Sequence, residues 1–437
     1  MYYNIVLINF VNSLKTSNNN RIHMNKQIIY NLSSVPGFEN LIKTGEISEE
    51  NNKYYTLNHY STKANEKYTI IRYNKEFLCP DLISSYGLLR SVILSGPKVI
   101  CFAPQKSLSG ENFMLKYPIK TEDIVAEEFV EGTMINVFFD PAYGASGCWQ
   151  IATRNTVGAD VSFYKWSNMT FNKMFLEACI SNNINIQTLN PRYCYSFVLQ
   201  HPANRIVVPF KKPKLYLVAV YELIQNGSEV TVVEENLLEV KKCGLWHLTG
   251  VQFPDRYEFN TYTELIETFA SGNTPYNVMG IIVKNKKTGE RTKFRNPIYE
   301  EIRQLRGNQP KLQYQYLCLR HSGKLPNFLK YYPETKEEMS KFRDQVHMFT
   351  DNLHKNYISC YVKKEKALRE YSDQYRTHMF KIHEHFINDL RPNGLYVTNT
   401  EVIKYVNNLP PSLLMYCLNF NMRKRNIDII KSQHEYI

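Results

Sequence analysis

The sequence predicts an α+β protein: an antiparallel or mixed β-sheet core followed by a helical C-terminal domain. Short β-rich runs bounded by Gly, Pro and Asn dominate from Tyr68 to about Tyr299. Helical patterns interrupt these runs and look packed on one face, which suggests an antiparallel or mixed sheet core of α+β type. Beyond a break at 307–310 the apolar period changes from two to between three and four, the spacing of helices.

In chain order, the first eleven residues are partly apolar but lack a basic leader and a small-residue cleavage site, and they are too short to span a bilayer. Asn and Lys crowd 18–31, so residues 1–24 read as an extension and Met24 as a candidate start of the folded part. Strands are expected at 68–73, 91–94, 99–102, 134–139, 149–153, 215–223, 229–233 and 278–284, and helices at 172–179 and 262–269. The first domain is set at 25–306 and the helical one at 311–437. In the latter, one stripe runs Met339, Phe342, Val346, Phe349, Leu353 and a second Leu368, Tyr371, Tyr375, Met379, Ile382, Phe386, Leu390, predicting two helices that bury these faces against each other. Arg391-Pro392-Asn393-Gly394 stops the second, and Thr398 or Asn399 caps a short helix carrying Val402, Ile403 and Val406. The last segment ends in the basic run Arg423-Lys424-Arg425, read as a solvated helix end.

Composition narrows the function classes. With 43% hydrophobic residues the chain builds a core and is not disordered by composition. Lys and Arg number 53 against 41 Asp and Glu, a formal charge of +12 that favours polyanionic partners. No segment approaches a membrane-spanning run, and no membrane partner is expected. The nine cysteines are odd in number, scattered and without a C-x-x-C pair, which reads as reduced thiols in a cytoplasmic compartment and gives no zinc spacing. His378, His383 and His385 fall in a helical, aromatic-rich stretch and read as packing or surface residues.

The most informative stretch is Glu127-Glu128-Phe129-Val130-Glu131-Gly132-Thr133-Met134-Ile135, an acidic-glycine turn between two apolar runs. Four segments follow it at suitable distances: Ala152-Thr153-Arg154-Asn155, Ser196-Phe197-Val198-Leu199 with Pro202-Ala203-Asn204-Arg205-Ile206-Val207, Met279-Gly280-Ile281-Ile282-Val283, and Lys293-Phe294-Arg295. In this order, over roughly Asn25 to Tyr299, they resemble the RNA ligase 1 family of T-even phages, a branch of the lysine nucleotidyltransferases. The resemblance implies a nucleotidyltransferase (ATP-grasp-like ligase) core.

Where that family reads K-x-D-G, with a lysine amine that attacks the α-phosphate of ATP, this chain has Phe129 at the lysine position and Glu131-Gly132 as the acidic-glycine pair. Val198 and Met279 stand where the family has the glutamates of its third and fourth motifs, the ribose- and metal-side carboxylates. The cations are kept: Arg90 aligns with an upstream R-G strand, Lys106 with a lysine before two aromatics (here Ser107-Leu108), Arg154 with the basic residue after the first motif, and Lys293 and Arg295 with K-x-K. The resemblance therefore implies an RNA-ligase-like protein inactive in adenylylation. Its phosphate- or nucleotide-binding residues are expected to be Arg90, Lys106, Glu131, Gly132, Arg154, Lys293 and Arg295, its partner RNA or another nucleic acid or a nucleotide, and ATP and Mg²⁺ its cofactors only if activity survives.

Residue by residue, plainer roles compete with these. Glu131 could simply close the turn, Arg205 could pair with a buried carboxylate, and Tyr314, Tyr316, Tyr331 and Tyr332 suit packing better than base stacking. Two other functions stay open: an active ATP-dependent ligase using another lysine, such as Lys116 or Lys120, and a structural or scaffolding protein. The Asn- and Lys-rich composition together with a phage-type resemblance points to a large DNA virus as source, hence to host cytoplasm or virion.

Overall fold

The computed structural model describes residues 27–62, 65–163 and 168–423. The expected extension at 1–24, with Met24, and the basic residues Lys424 and Arg425 lie outside the described residues. The described chain divides into two compact units, one running to Ser162 and from Asn168 to Pro297, the other made of Phe163 and of the chain from Ile298 onward. The helix Pro297–Arg306, which the sequence reading assigns to the first domain, thus belongs from Ile298 to the second unit.

The first unit holds fourteen strands: β1 Ile28–Asn31, β2 Tyr55–Ser61, β3 Lys67–Tyr73, β4 Val92–Ser95, β5 Lys98–Cys101, β6 Ile124–Glu128, β7 Thr133–Asp140, β8 Cys148–Ala152, β9 Tyr193–Gln200, β10 Lys214–Asn226, β11 Glu229–Glu234, β12 Arg256–Tyr257, β13 Gly280–Asn285 and β14 Arg291–Arg295. They form a six-stranded sheet in the order β1-β11-β10-β9-β7-β8 and two four-stranded sheets, β12-β6-β13-β14 and β2-β3-β4-β5. The strand pairings are antiparallel, so of the two expected arrangements the chain takes the antiparallel one.

Side-chain alternation decides what each strand can do. β9 lies between β10 and β7 and is buried along seven of its eight residues; it is absent from the strands expected from sequence, where only Ser196-Phe197-Val198-Leu199 was singled out as a motif. In β14, Thr292 and Phe294 are buried, Phe294 in a core with Ile124 and Ala126 of β6 and Ile281 and Val283 of β13, so Arg291, Lys293 and Arg295 face the other way. Helix Tyr262–Phe269 covers the apolar face, its start capped by the Thr261 hydroxyl accepting from the Glu264 N–H.

In the second unit, helix Lys336–Tyr357 buries Met339, Val346, Phe349 and Leu353 as the stripe predicts. The second stripe is corrected. Leu368 lies in a single 3₁₀ turn and Tyr371 is extended; the α-helix begins only at Asp373, because the Ser372 hydroxyl accepts from the Gln374 N–H and caps it there. Phe349 nevertheless stacks on Tyr375 at 5.4 Å between ring centroids. Gly394, at φ 68°, ends the following turn, and Thr398 caps Asn399–Asn407 through the Glu401 N–H. No helix among the described residues is long and apolar enough to cross a membrane.

Candidate functional site

The turn between β6 and β7 carries the site. Gly132, at φ 149°, passes so close to β9 that a Cβ there would lie 2.5 Å from the Leu199 carbonyl oxygen. Gly280, at φ 129°, is held as tightly against β14, where a Cβ would lie 2.1 Å from the Phe294 carbonyl oxygen. These two glycines let three strands close around one hollow. Asn296, wholly buried, donates from Nδ2 to the carbonyls of Pro275 and Val278, at 2.9 Å each, and so anchors the loop that leads to Met279.

The hollow is a cavity of about 280 Å³ whose walls include Arg90, Arg291, Lys293 and Arg295, with Phe129, Val198 and Met279 completing the side nearest the turn. Phe129 is buried, and its ring lies 4.6 Å from the Lys293 amine and 5.2 Å from the Arg295 guanidinium carbon, both measured to the ring centroid. Burial, together with Arg291, Arg90, Arg295 and Lys106, pulls the Lys293 amine down to about 6. Arg90, which donates to the Pro104 carbonyl at 3.3 Å, is pulled down to about 10 by burial and by Arg291. Arg291 donates through Nη2 to the Gln105 carbonyl at 2.7 Å, while its buried Nε has no partner among the described residues.

The acidic groups in the cavity wall are Glu127, Glu128 and Glu234. Glu234 pairs with Lys284 and accepts from the Tyr30 hydroxyl at 2.6 Å. Glu127 pairs with Arg256 at 3.2 Å, and burial pushes the Glu128 carboxyl up toward its neutral form. With an isopropyl and a thioether at Val198 and Met279, this donor set does not fit a divalent cation held by protein carboxylates.

Of the residues expected from sequence, Arg90, Gly132, Lys293 and Arg295 meet at this cavity. Lys106 stands just outside: its amine donates to the Ser107 carbonyl at 2.9 Å, and burial, followed by the charges of Arg90, Lys75, Arg295 and Arg291, lowers its pKa. Arg154 lines a neighbouring hollow that shares Arg90, Pro104 and Met134 with the cavity, and its guanidinium lies over the Tyr73 ring. Glu131 is turned away. Its buried carboxylate accepts from the backbone N–H groups of Val207 at 2.7 Å and Val208 at 3.1 Å, so it fastens the turn to the 205–208 loop and does not close a hairpin, since β6 and β7 lie in different sheets. Arg205 donates to the Val207 carbonyl in the same loop.

Sequence reasoning missed Arg291. The signal was there, since Arg291, Lys293 and Arg295 recur at the two-residue spacing that puts three cations on one face of a strand. The alternative lysines stand elsewhere: Lys116 pairs with Glu290 at 2.8 Å, and the Lys120 amine lies 5.6 Å from the Phe259 ring centroid. Of the three histidines, His378 is buried against Tyr405 and Cys417, His383 stacks on Tyr361, and His385 pairs with Asp389.

An α+β chain whose sheets enclose a cation-lined cavity is the class that fold and site define. No family model matches the chain. The chain is similar to a viral protein named immediate-early protein ICP-46 homolog, of Invertebrate iridescent virus 6, with 26% identity over 293 residues that cover 63% of this chain and 61% of that protein; it therefore spans less than two thirds of that relative's length. It is also similar to a protein named RNA ligase from Rhodothermus phage RM378, with 23% identity over 342 residues, 71% of this chain and 72% of that one. Among solved structures, an archaeal ATP-dependent RNA ligase aligns at TM-score 0.37 and 9% identity over 72% of this chain and 83% of its own. A putative ATP-dependent DNA ligase from Aquifex aeolicus aligns at TM-score 0.36 and 11% identity over 73% and 80%. The sequence relationship is thus to viral proteins, one of them named RNA ligase, at low identity.

Proposed function

We propose that the chain binds the phosphates of RNA or of a nucleotide in the cation-lined cavity and does not form a covalent adenylate at residue 129. One observation carries this reading: Arg90, Arg291, Lys293 and Arg295 line a single hollow together with Lys284, which is paired with Glu234, while a benzyl ring, an isopropyl group and a thioether stand in the wall at positions 129, 198 and 279. Like charges held together and partly out of water destabilise one another until an anion arrives, so phosphate binding offsets the cost of assembling them. A benzyl ring offers no lone pair to an α-phosphate. Filter binding of labelled RNA across a salt series tests the proposal. Affinity should fall steeply with salt and should weaken at least tenfold in Arg90→Ala with Lys293→Ala. Salt-independent binding, or an unaffected double variant, rejects it.

A second reading is favoured by Lys293 itself, an amine already largely neutral near pH 7 and packed on the ring that replaces the family's nucleophile. In that case Lys293 is the atypical nucleophile of an active enzyme. Incubation with α-labelled ATP and Mg²⁺ or Mn²⁺ would then leave an acid-labile label that disappears in Lys293→Arg; an unlabelled wild-type protein removes this alternative.

A further inference from the structure

Beside the cavity runs a larger groove of about 870 Å³ that the sequence did not single out. The two hollows are adjacent, with Glu128, Phe129 and Met279 lining both. The groove is built at the start of β10, where Lys214 and Tyr216, two residues apart, point to the same face opposite Gln200 and Val198 of β9. The preceding loop adds Phe210, Lys211 and Lys212, and the short strand β12 adds Tyr257, whose ring packs on Phe269 at 4.6 Å between centroids.

The chemistry is a row of ammonium groups alternating with partly exposed aromatic rings. Of the two carboxyl groups in the groove wall, Glu131 accepts from the N–H groups of Val207 and Val208, and burial raises the pKa of Glu128. We propose that this groove is the track for single-stranded RNA whose phosphate-bearing end enters the cation cavity, its bases stacking on Tyr216 and Tyr257 and its backbone phosphates meeting Lys211, Lys212 and Lys214. The inference rests on the phosphate-binding function proposed for the cavity. An acidic peptide would satisfy the lysines and leave the ring faces unused, whereas a nucleotide chain presents a planar ring and a phosphate at every step.

Fluorescence anisotropy of the full chain with a 5′-phosphorylated oligoribonucleotide, beside calorimetry with ATP as a monomeric phosphate probe, separates the groove from the cavity. Tyr216→Leu with Tyr257→Leu, which keeps the apolar bulk and removes the stacking faces, should weaken the oligonucleotide roughly tenfold or more and leave ATP unchanged. Lys211→Ala with Lys212→Ala, in an exposed loop, should flatten the dependence of log affinity on log salt by about 1.4. If both groove variants bind the oligonucleotide as wild type does while Arg291→Ala weakens it and ATP alike, the groove proposal falls and the cavity reading stands. If Arg291→Ala also changes nothing, both fall. A polyglutamate probe competing with the same lysine dependence and no tyrosine dependence overturns the groove proposal in favour of an acidic partner.

Discussion

Two buried polar clusters in this chain are opposites. In the sheet unit, Arg90, Arg291, Lys293 and Arg295 gather around one cavity, where burial and the neighbouring cations lower the proton affinity of Arg90 and Lys293. In the helical unit, His378 is buried between the Tyr405 hydroxyl at 2.8 Å and the Cys417 sulfur at 3.1 Å, with burial pushing the thiol up to about 11 and the imidazole down, so all three stay neutral and satisfy one another. A neutral, mutually hydrogen-bonded cluster stabilises a fold by itself. A set of like charges does so only with a counter-charge, which is why the first cluster reads as a binding site and the second as packing.

The sharpest way to break that contrast is to invert one charge. Lys293→Glu should weaken RNA binding roughly a hundredfold, since a charge-assisted contact contributes about 1.5–3 kcal/mol and its reversal adds repulsion; anisotropy titration checks it. Next in size, His378→Ala should cost about 1–3 kcal/mol of stability by leaving the Tyr405 hydroxyl and the Cys417 thiol without their partner, while RNA affinity holds; urea unfolding beside the same titration would expose any crossover.

Per pH unit the expected change is smaller than that of the charge reversal, and it has a definite sign. Lys293 sits at about 6 when the cavity is empty, and a bound phosphate favours its charged form, so binding takes up a proton between pH 6 and the higher value reached in the complex. Affinity should therefore rise as pH falls from 9 toward 6, by up to about tenfold per unit, and level off below. Lys293→Met shares the ligand's own titration and should show a flatter profile. The same depressed amine makes the unfolded chain bind more protons than the folded one between pH 6 and the ordinary lysine value of 10.5. The stability contribution of Lys293 should then climb with pH across that window. Lys293→Met should also raise Tm by a few degrees in the empty protein, read by calorimetry, by relieving the cluster.

The smallest expected effect is none. Phe129→Lys should not produce joined or adenylylated product in a labelled-ATP assay, because positions 198 and 279 still bring no carboxylate to the cavity.

The sequence read the organisation of this chain well where periodicity was strong. Helix Tyr262–Phe269 matches its expectation residue for residue, and β3, β7, β8, β10 and β11 lie within a few residues of theirs. It missed β1, β2, β9 and β12, and two strands that carry charge on one face. β6, with Glu127 and Glu128, and β14, with its three cations, escaped the strand list because a half-polar run of five residues resembles a loop. The helix start at Asp373 was overrun because the apolar spacing continues upstream through Leu368 and Tyr371, while the Ser372 cap and not the spacing ends the backbone helix.

What the sequence alone determined is the inventory: a basic chain, a turn with Phe129 where a nucleophile was expected, and cations at ordered positions around it. Only the tertiary structure decided which of these meet, bringing Arg90 and β14 together across two hundred residues while turning Glu131 toward the 205–208 backbone and leaving Arg154 in the hollow next door. The reason is physical. Residue type sets what a side chain can do, but convergence on one cavity depends on strand pairing and on two close-approach glycines, Gly132 and Gly280, that no local pattern reports.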